Sequence, residues 1–137
     1  MKKLDNGYYV NRHSCFLLQY HLVFVTEYRK NVINKDIEEF LTTYFGKLMK
    51  NADCNLLEIN YDKNHVHILF EAPVTLVLTN FINGLKTNSA KQLRSLYKEH
   101  IDNFYNKPVF WSRSYFIGTV SEQTTSAVRE YIKNQGE

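Results

Sequence analysis

Leu56-Leu57-Glu58-Ile59-Asn60-Tyr61, then Asp62-Lys63-Asn64, then His65-Val66-His67-Ile68-Leu69-Phe70 is the stretch whose reading decides the fold. The two outer runs have strand composition and the three residues between them make a tight turn, so the segment predicts a β-hairpin. Glu71-Ala72-Pro73 stops the second strand. Along that strand, alternation turns Val66, Ile68 and Phe70 to one face and both imidazoles to the other.

Upstream, Phe16 to Val25 reads as a strand from its β-branched and aromatic content. Phe16, Leu18, Tyr20, Leu22 and Phe24 give it one apolar face; Leu17, Gln19, His21, Val23 and Val25 give it a mixed one. Asn34 can cap a helix in which Ile37, Phe40, Leu41, Tyr44, Phe45, Leu48 and Met49 keep helical spacing. Downstream, Thr75 is a candidate cap for a second long helix carrying Leu78, Phe81, Ile82, Leu85, Ser89, Leu93, Leu96 and Tyr97 on one stripe. Gly84 within it costs roughly 1 kcal/mol against Ala and suggests a close contact. Residues 99–113 read as irregular, Tyr115 to Val120 as a fourth strand, and Thr124 to Gln135 as a final helix.

The order β-α-β-β-α-β-α predicts an α+β, ferredoxin-like (RRM-like) antiparallel four-stranded sheet with two helices on one face, plus a C-terminal helix. His65, His67 and His21 then share the face that no long helix covers. Only the last helix is left to lie over them. In it Tyr131 and Gln135 are one turn apart on one side, with Val128 on the same stripe.

The chain has 137 residues, 44% hydrophobic and 23% charged, as in ordinary globular proteins. One domain over residues 1–137 is expected, with residues 1–11 as a flexible lead-in. No run approaches the ~20 apolar residues that span a bilayer and no signal-peptide block opens the chain, which suggests a soluble, cytoplasmic protein. Cys15 and Cys54 have no metal-ligand spacing and read as buried free thiols. The net charge of +3 leans only weakly toward anionic partners.

Two imidazoles and an amide oxygen can hold a metal that keeps positions open for phosphate oxygens. A phenol, with a pKa near ~10, becomes a nucleophile when a metal or base assists it. Together they are equipment for breaking a phosphodiester through a covalent tyrosyl link. That link conserves the bond's energy, and the chain has no GxxxxGK phosphate loop. Taken singly, a His-x-His on a strand is more often incidental, and a Tyr late in an amphipathic helix is usually a packing residue. Arg12, Arg29, Lys30, Lys86, Lys91, Arg94 and Arg113 are candidate phosphate contacts, and Tyr28, Trp111, Tyr115 and Phe116 candidate stacking surfaces for unpaired bases. His21 is either a further ligand or a hydrogen-bonded sheet histidine; His13 and His100 read as ordinary.

Arg12-His13-Ser14, Tyr20-His21-Leu22-Val23-Phe24-Val25-Thr26, Tyr28-Arg29-Lys30, Asn64-His65-Val66-His67, Gly84-Leu85-Lys86, Trp111-Ser112-Arg113-Ser114-Tyr115-Phe116 and the closing Tyr131-x-x-x-Gln135 occur in that order. In this the chain resembles the single-tyrosine HUH transposases of the insertion-sequence 200/605 family, from about Arg12 to Gln135. The resemblance implies a ferredoxin-like dimer that binds single-stranded DNA with subterminal hairpins. It implies His65, His67 and Gln135 as ligands of Mg2+ or Mn2+ and Tyr131 as the nucleophile. Attack would leave a 5′-phosphotyrosine and a free 3′-hydroxyl, for excision and integration of an insertion sequence. In many relatives the tyrosine helix completes the partner subunit's site. Where the family commonly has an acidic residue before the first histidine, this chain has Asn64. Two rival readings stay open: a domesticated relative that nicks or joins host DNA, and a non-catalytic RRM-like module for single strands.

Overall fold

Asn34 fixes the start of the first long helix, its Oδ1 accepting from the Ile37 amide at 2.9 Å, so that α1 runs Lys35–Asn51. Its buried stripe is Ile37, Leu41, Phe45 and Met49, the i, i+4 spacing of a helix with one wet face. The second helix, α2, runs Leu78–Leu96 and buries Ile82, Leu85, Ser89 and Leu93. Thr75 does not cap it: Leu76 N donates to Pro73 O at 3.1 Å, spending Thr75 on a turn, and the N-cap is Val77 without a side-chain bond. The close contact expected at Gly84 is absent too, since a Cβ there would meet nothing within 4 Å.

The computed structural model describes residues 1–134, apart from the side chains of residues 122–125. The main sheet comprises β4 (Leu18–Thr26), β5 (Asn55–Asp62), β6 (His65–Ala72) and β7 (Trp111–Thr119). Its order is β5-β6-β4-β7, every pairing antiparallel, which is the ferredoxin-like arrangement. Leu22, Phe24, Val66, Ile68 and Phe70 meet the stripes of α1 and α2 in one core. β7 begins earlier than its composition suggests. Trp111 pairs with Thr26 across a bulge and its indole N–H donates to the buried Ser89 Oγ at 2.9 Å. A short helix, α3 (Lys98–Asp102), occupies part of the segment read as irregular, and α4 runs Glu122–Asn134.

The expected flexible lead-in over residues 1–11 is instead folded. β1 (Lys2–Lys3), β2 (Tyr9–Val10) and β3 (Cys15–Phe16) form a small antiparallel sheet. Tyr9 is 4% exposed, stacks on Phe16 and donates its hydroxyl to Glu71. Glu71, itself 2% exposed, also accepts from Gln19 at 2.8 Å and Asn55 at 3.0 Å. This anchor joins residues 62 apart in sequence, so no local pattern announces it. Cys54 is buried as expected, but Cys15 is exposed, because its side of β3 faces away from the Phe16 contact. Among the described residues no helix is long and apolar enough to cross a membrane.

Candidate active site on the open sheet face

Register decides which side chains share the face opposite α1 and α2. Val25 pairs with His65 and Val23 with His67. On the other flank Val23 pairs with Phe116, and across the hairpin Asn60 pairs with His67 and Asp62 with His65. Directly paired residues project to the same face. The face therefore carries Asn60, His67, Val23 and Phe116 in one row, and Asp62, His65 and Val25 in the next. The helix α4 lies over part of it: Val128 is buried against Val23 and Val25, with Phe116, Tyr131 and Ile132 packed around them.

Both imidazoles are half-buried. Asn64 Oδ1 lies 2.9 Å from His65 Nδ1; an amide oxygen can only accept, so the proton sits on Nδ1 and Nε2 keeps its lone pair. Burial holds the His65 pKa below its ordinary value, Asp62 opposing and Arg29 reinforcing. His67 is lowered as well, by burial, then by His21 and His65, against Glu58. His21 Nδ1 lies 2.7 Å from His67 Nε2, so His21 is a hydrogen-bonded partner of the pair. Neutral imidazole is the form that binds a metal. Among the described residues no three His, Cys, Asp or Glu side chains cluster as a metal site would need. Gln135, the expected third donor, lies outside those residues.

Tyr131 rests its ring on Phe116, centroids 5.8 Å apart, and its hydroxyl meets Ser114 Oγ at 2.9 Å. Burial raises its pKa, the Ser114 bond opposing, so the resting phenol is neutral. Phe116 and His67 flank Val23 on opposite sides. Two strand spacings, about 10 Å, then separate the backbone beneath the phenol from that beneath the imidazole.

The structure does not gather the seven candidate cations into one patch. Arg12 is exposed in the turn between β2 and β3. Arg94 donates to Val109 O at 3.0 Å and pairs with Asp102, and the Lys86 ammonium donates to Arg113 O at 2.7 Å; both tie α2 to the segment around β7. Lys91 and Arg113 are exposed. Lys30 lines a surface pocket of about 280 Å³ with Tyr28, Tyr105 and Lys107. Arg29 reaches α4, donating to Lys133 O at 2.7 Å. Of the candidate stacking rings, Tyr28 is 56% exposed, whereas Trp111 is 6% exposed and belongs to the core. Tyr115 packs edge-on against Phe24 and Phe116 carries Tyr131. His100 is structural, its Nε2 lying 2.7 Å from Val32 O.

Sequence reading missed Ser114, Asn60 and Asp62. Alternation back from Phe116 and through the hairpin register points at all three; the contact of Arg29 with α4 has no local signal.

This fold and site define a class of ferredoxin-like proteins with paired histidines on the open sheet face and a tyrosine-bearing helix across it. The chain matches the family described as Transposase IS200 like over residues 14–135, and it belongs to that family. It is 27% identical over 123 residues to the transposase for insertion sequence element IS200 of Salmonella typhimurium, covering 90% of this chain and 80% of the relative. The ISDra2 transposase TnpA of Deinococcus radiodurans is 26% identical over 120 residues, covering 88% and 85%. Among solved structures, a Deinococcus radiodurans R1 protein described as a transposase superposes with a TM-score of 0.84 at 28% identity, over 93% of this chain and 97% of that one. A REP-associated tyrosine transposase bound to a REP hairpin shares the fold, with a TM-score of 0.53 at 7% identity over 94% and 76%.

Proposed function

We propose that residues 1–137 act as one transposase domain that cleaves and rejoins single-stranded DNA bearing subterminal hairpins, through a covalent link to Tyr131. The observation that carries this reading is the row His67–Val23–Phe116, with the Tyr131 ring on Phe116. This row supports the reading because the Tyr131 ring and the imidazole pair lie on the same open face, two strands apart.

Two neutral imidazoles on one face support a divalent cation, Mg2+ or Mn2+, as the cofactor. His65 is a neutral imidazole with Nε2 unprotonated, His67 lies on the same face, and Gln135 would add the amide oxygen. When bound, such a cation polarises the scissile phosphate and stabilises charge on the leaving oxygen. The chain's own residues do the remaining work. Asn64 and His21 fix the two imidazole rings. Phe116 and Val128 seat the tyrosine helix, and Ser114 holds the phenol over the sheet. Tyr131 Oη then bonds to phosphorus, the P–O3′ bond breaks, and the phenol proton is lost to water. The products are a 5′-phosphotyrosine and, once its oxygen is protonated, a free 3′-hydroxyl. Attack by a 3′-hydroxyl on the phosphotyrosine reverses the step and rejoins strands. Excision and integration of an insertion sequence follow from two such exchanges, and a homodimer holding two sites suits that task.

A purely binding, RRM-like role would need exposed aromatics side by side on this face, where the chain has His65 and His67. The deciding experiment incubates the protein with single-stranded DNA from the flanks of its own gene and Mg2+, and looks for a covalent complex on a denaturing gel. Tyr131→Phe is expected to abolish the complex while leaving hairpin binding within about twofold. A complex that persists in this variant excludes Tyr131 as nucleophile.

A further inference from the structure

We propose that Arg29 is a positioning residue, a latch that holds the last turn of α4 against the sheet and so sets where Tyr131 waits. Its functional consequence rests on the reading of Tyr131 given above; the latch itself concerns α4 alone.

Arg29 Nη1 donates to Lys133 O at 2.7 Å, joining positions 104 apart in sequence. Lys133 lies two residues after Tyr131, in the last turn of α4. Carbonyls toward the C-terminal end of a helix carry the negative end of its dipole. A guanidinium satisfies that acceptor and complements that charge at once. Of its described side chains Val128 is buried, with Tyr131 and Ile132 packed beside it, so apolar contact grips α4 as far as Ile132 and the Arg29 bond reaches the exposed residue just beyond, Lys133.

The residue that supplies the tether sits on a strained turn. Tyr28 and Arg29 have φ of 57° and 53°, consecutive left-handed residues that glycine adopts readily and other residues do not. Neighbours hold the turn in place: Tyr105 Oη donates to Glu27 O at 2.7 Å, Lys107 Nζ to Tyr28 Oη at 2.5 Å, and Thr26 Oγ1 to Lys30 O at 2.7 Å. Such strain persists where surrounding structure imposes it, and it clusters at functional sites. Here it aims a cation out of the end of β4. The charge also acts on His65, where burial and then Asp62 are the larger influences, so the latch, the histidine and the end of α4 lie together.

The test uses Arg29→Gly, which removes the side chain and relieves the backbone strain, and Arg29→Lys, which keeps one donor. Amide hydrogen exchange over residues 131–134 is measured in the full chain without DNA, and covalent-complex formation at saturating single-stranded DNA with Mg2+. The latch predicts that Arg29→Gly speeds exchange in the last turn on the order of tenfold, with exchange in α1 unchanged. The saturated rate should fall by a similar factor, and Arg29→Lys should recover part of both. Unchanged exchange in Arg29→Gly, with weaker DNA binding and a smaller salt dependence, overturns the latch and makes Arg29 a simple phosphate contact. If exchange quickens while Tyr131→Phe still forms the complex, the latch stands and only the nucleophile assignment falls.

Discussion

His21 and His67 share a proton: their Nδ1 and Nε2 atoms lie 2.7 Å apart and their rings stack with centroids 4.9 Å apart at 15°. One nitrogen must donate and the other accept, so each ring fixes the orientation of the other. Groups that orient a ligand histidine are worth about 10–100-fold in metal affinity. His21→Ala is therefore expected to weaken Mn2+ binding on the order of tenfold, measured by calorimetry, with the melting temperature nearly unchanged. Undiminished affinity would make His21 a spectator.

The histidine pair sets a pH window. Burial lowers both pKa values below the ordinary 6.5, so the neutral form extends below that pH and is lost only as the pH falls through the lowered values. Covalent-complex formation with Mg2+ should hold from pH 7 to below 6.5 before it declines, on the histidine limb of the profile. His65→Ala with His67→Ala should abolish cleavage at every pH. Metal-dependent nicking by that double variant would refute the ligand role.

Glu71 anchors the N-terminal sheet. Burial alone would raise its pKa, but the hydrogen bonds from Tyr9, Gln19 and Asn55, with the charge of Lys3, outweigh it and leave the net value below 4.5. A depressed folded pKa contributes stability that is fully present above the ordinary value and fades as pH falls through the folded one. Glu71→Ala leaves three donors without their acceptor and should cost about 3 kcal/mol at pH 7. In urea titrations the gap between the variant and the parent should narrow below pH 4.5.

Asn34→Ala removes the side-chain cap of α1 and should destabilise the protein by about 1 kcal/mol. Because Asn34 lies outside the site, covalent-complex formation at temperatures well below the melting point should be unaffected.

Much of the fold was legible because it is written in short-range patterns. The hairpin showed in Asp62-Lys63-Asn64 between two strand-like runs, α1 in a capping asparagine and a 3.6-residue stripe, and the face of the histidines in simple alternation. What escaped were features whose partners are far apart along the chain. Tyr9 folds the N-terminus because Glu71 awaits it, β7 begins at Trp111 because Ser89 accepts its indole, and Cys15 is exposed because only Phe16 turns inward.

The site divides along the same line. Sequence alone determined which residues share the open face, since the two-residue period of a strand leaves His65 and His67 no other side once Val66 and Ile68 are buried. Tertiary structure decided how they are held: His21 against His67, Tyr131 on Phe116 two strands away, and the end of α4 against Arg29. Strand pairing and helix docking set those distances, and neither is encoded within any one segment of the chain.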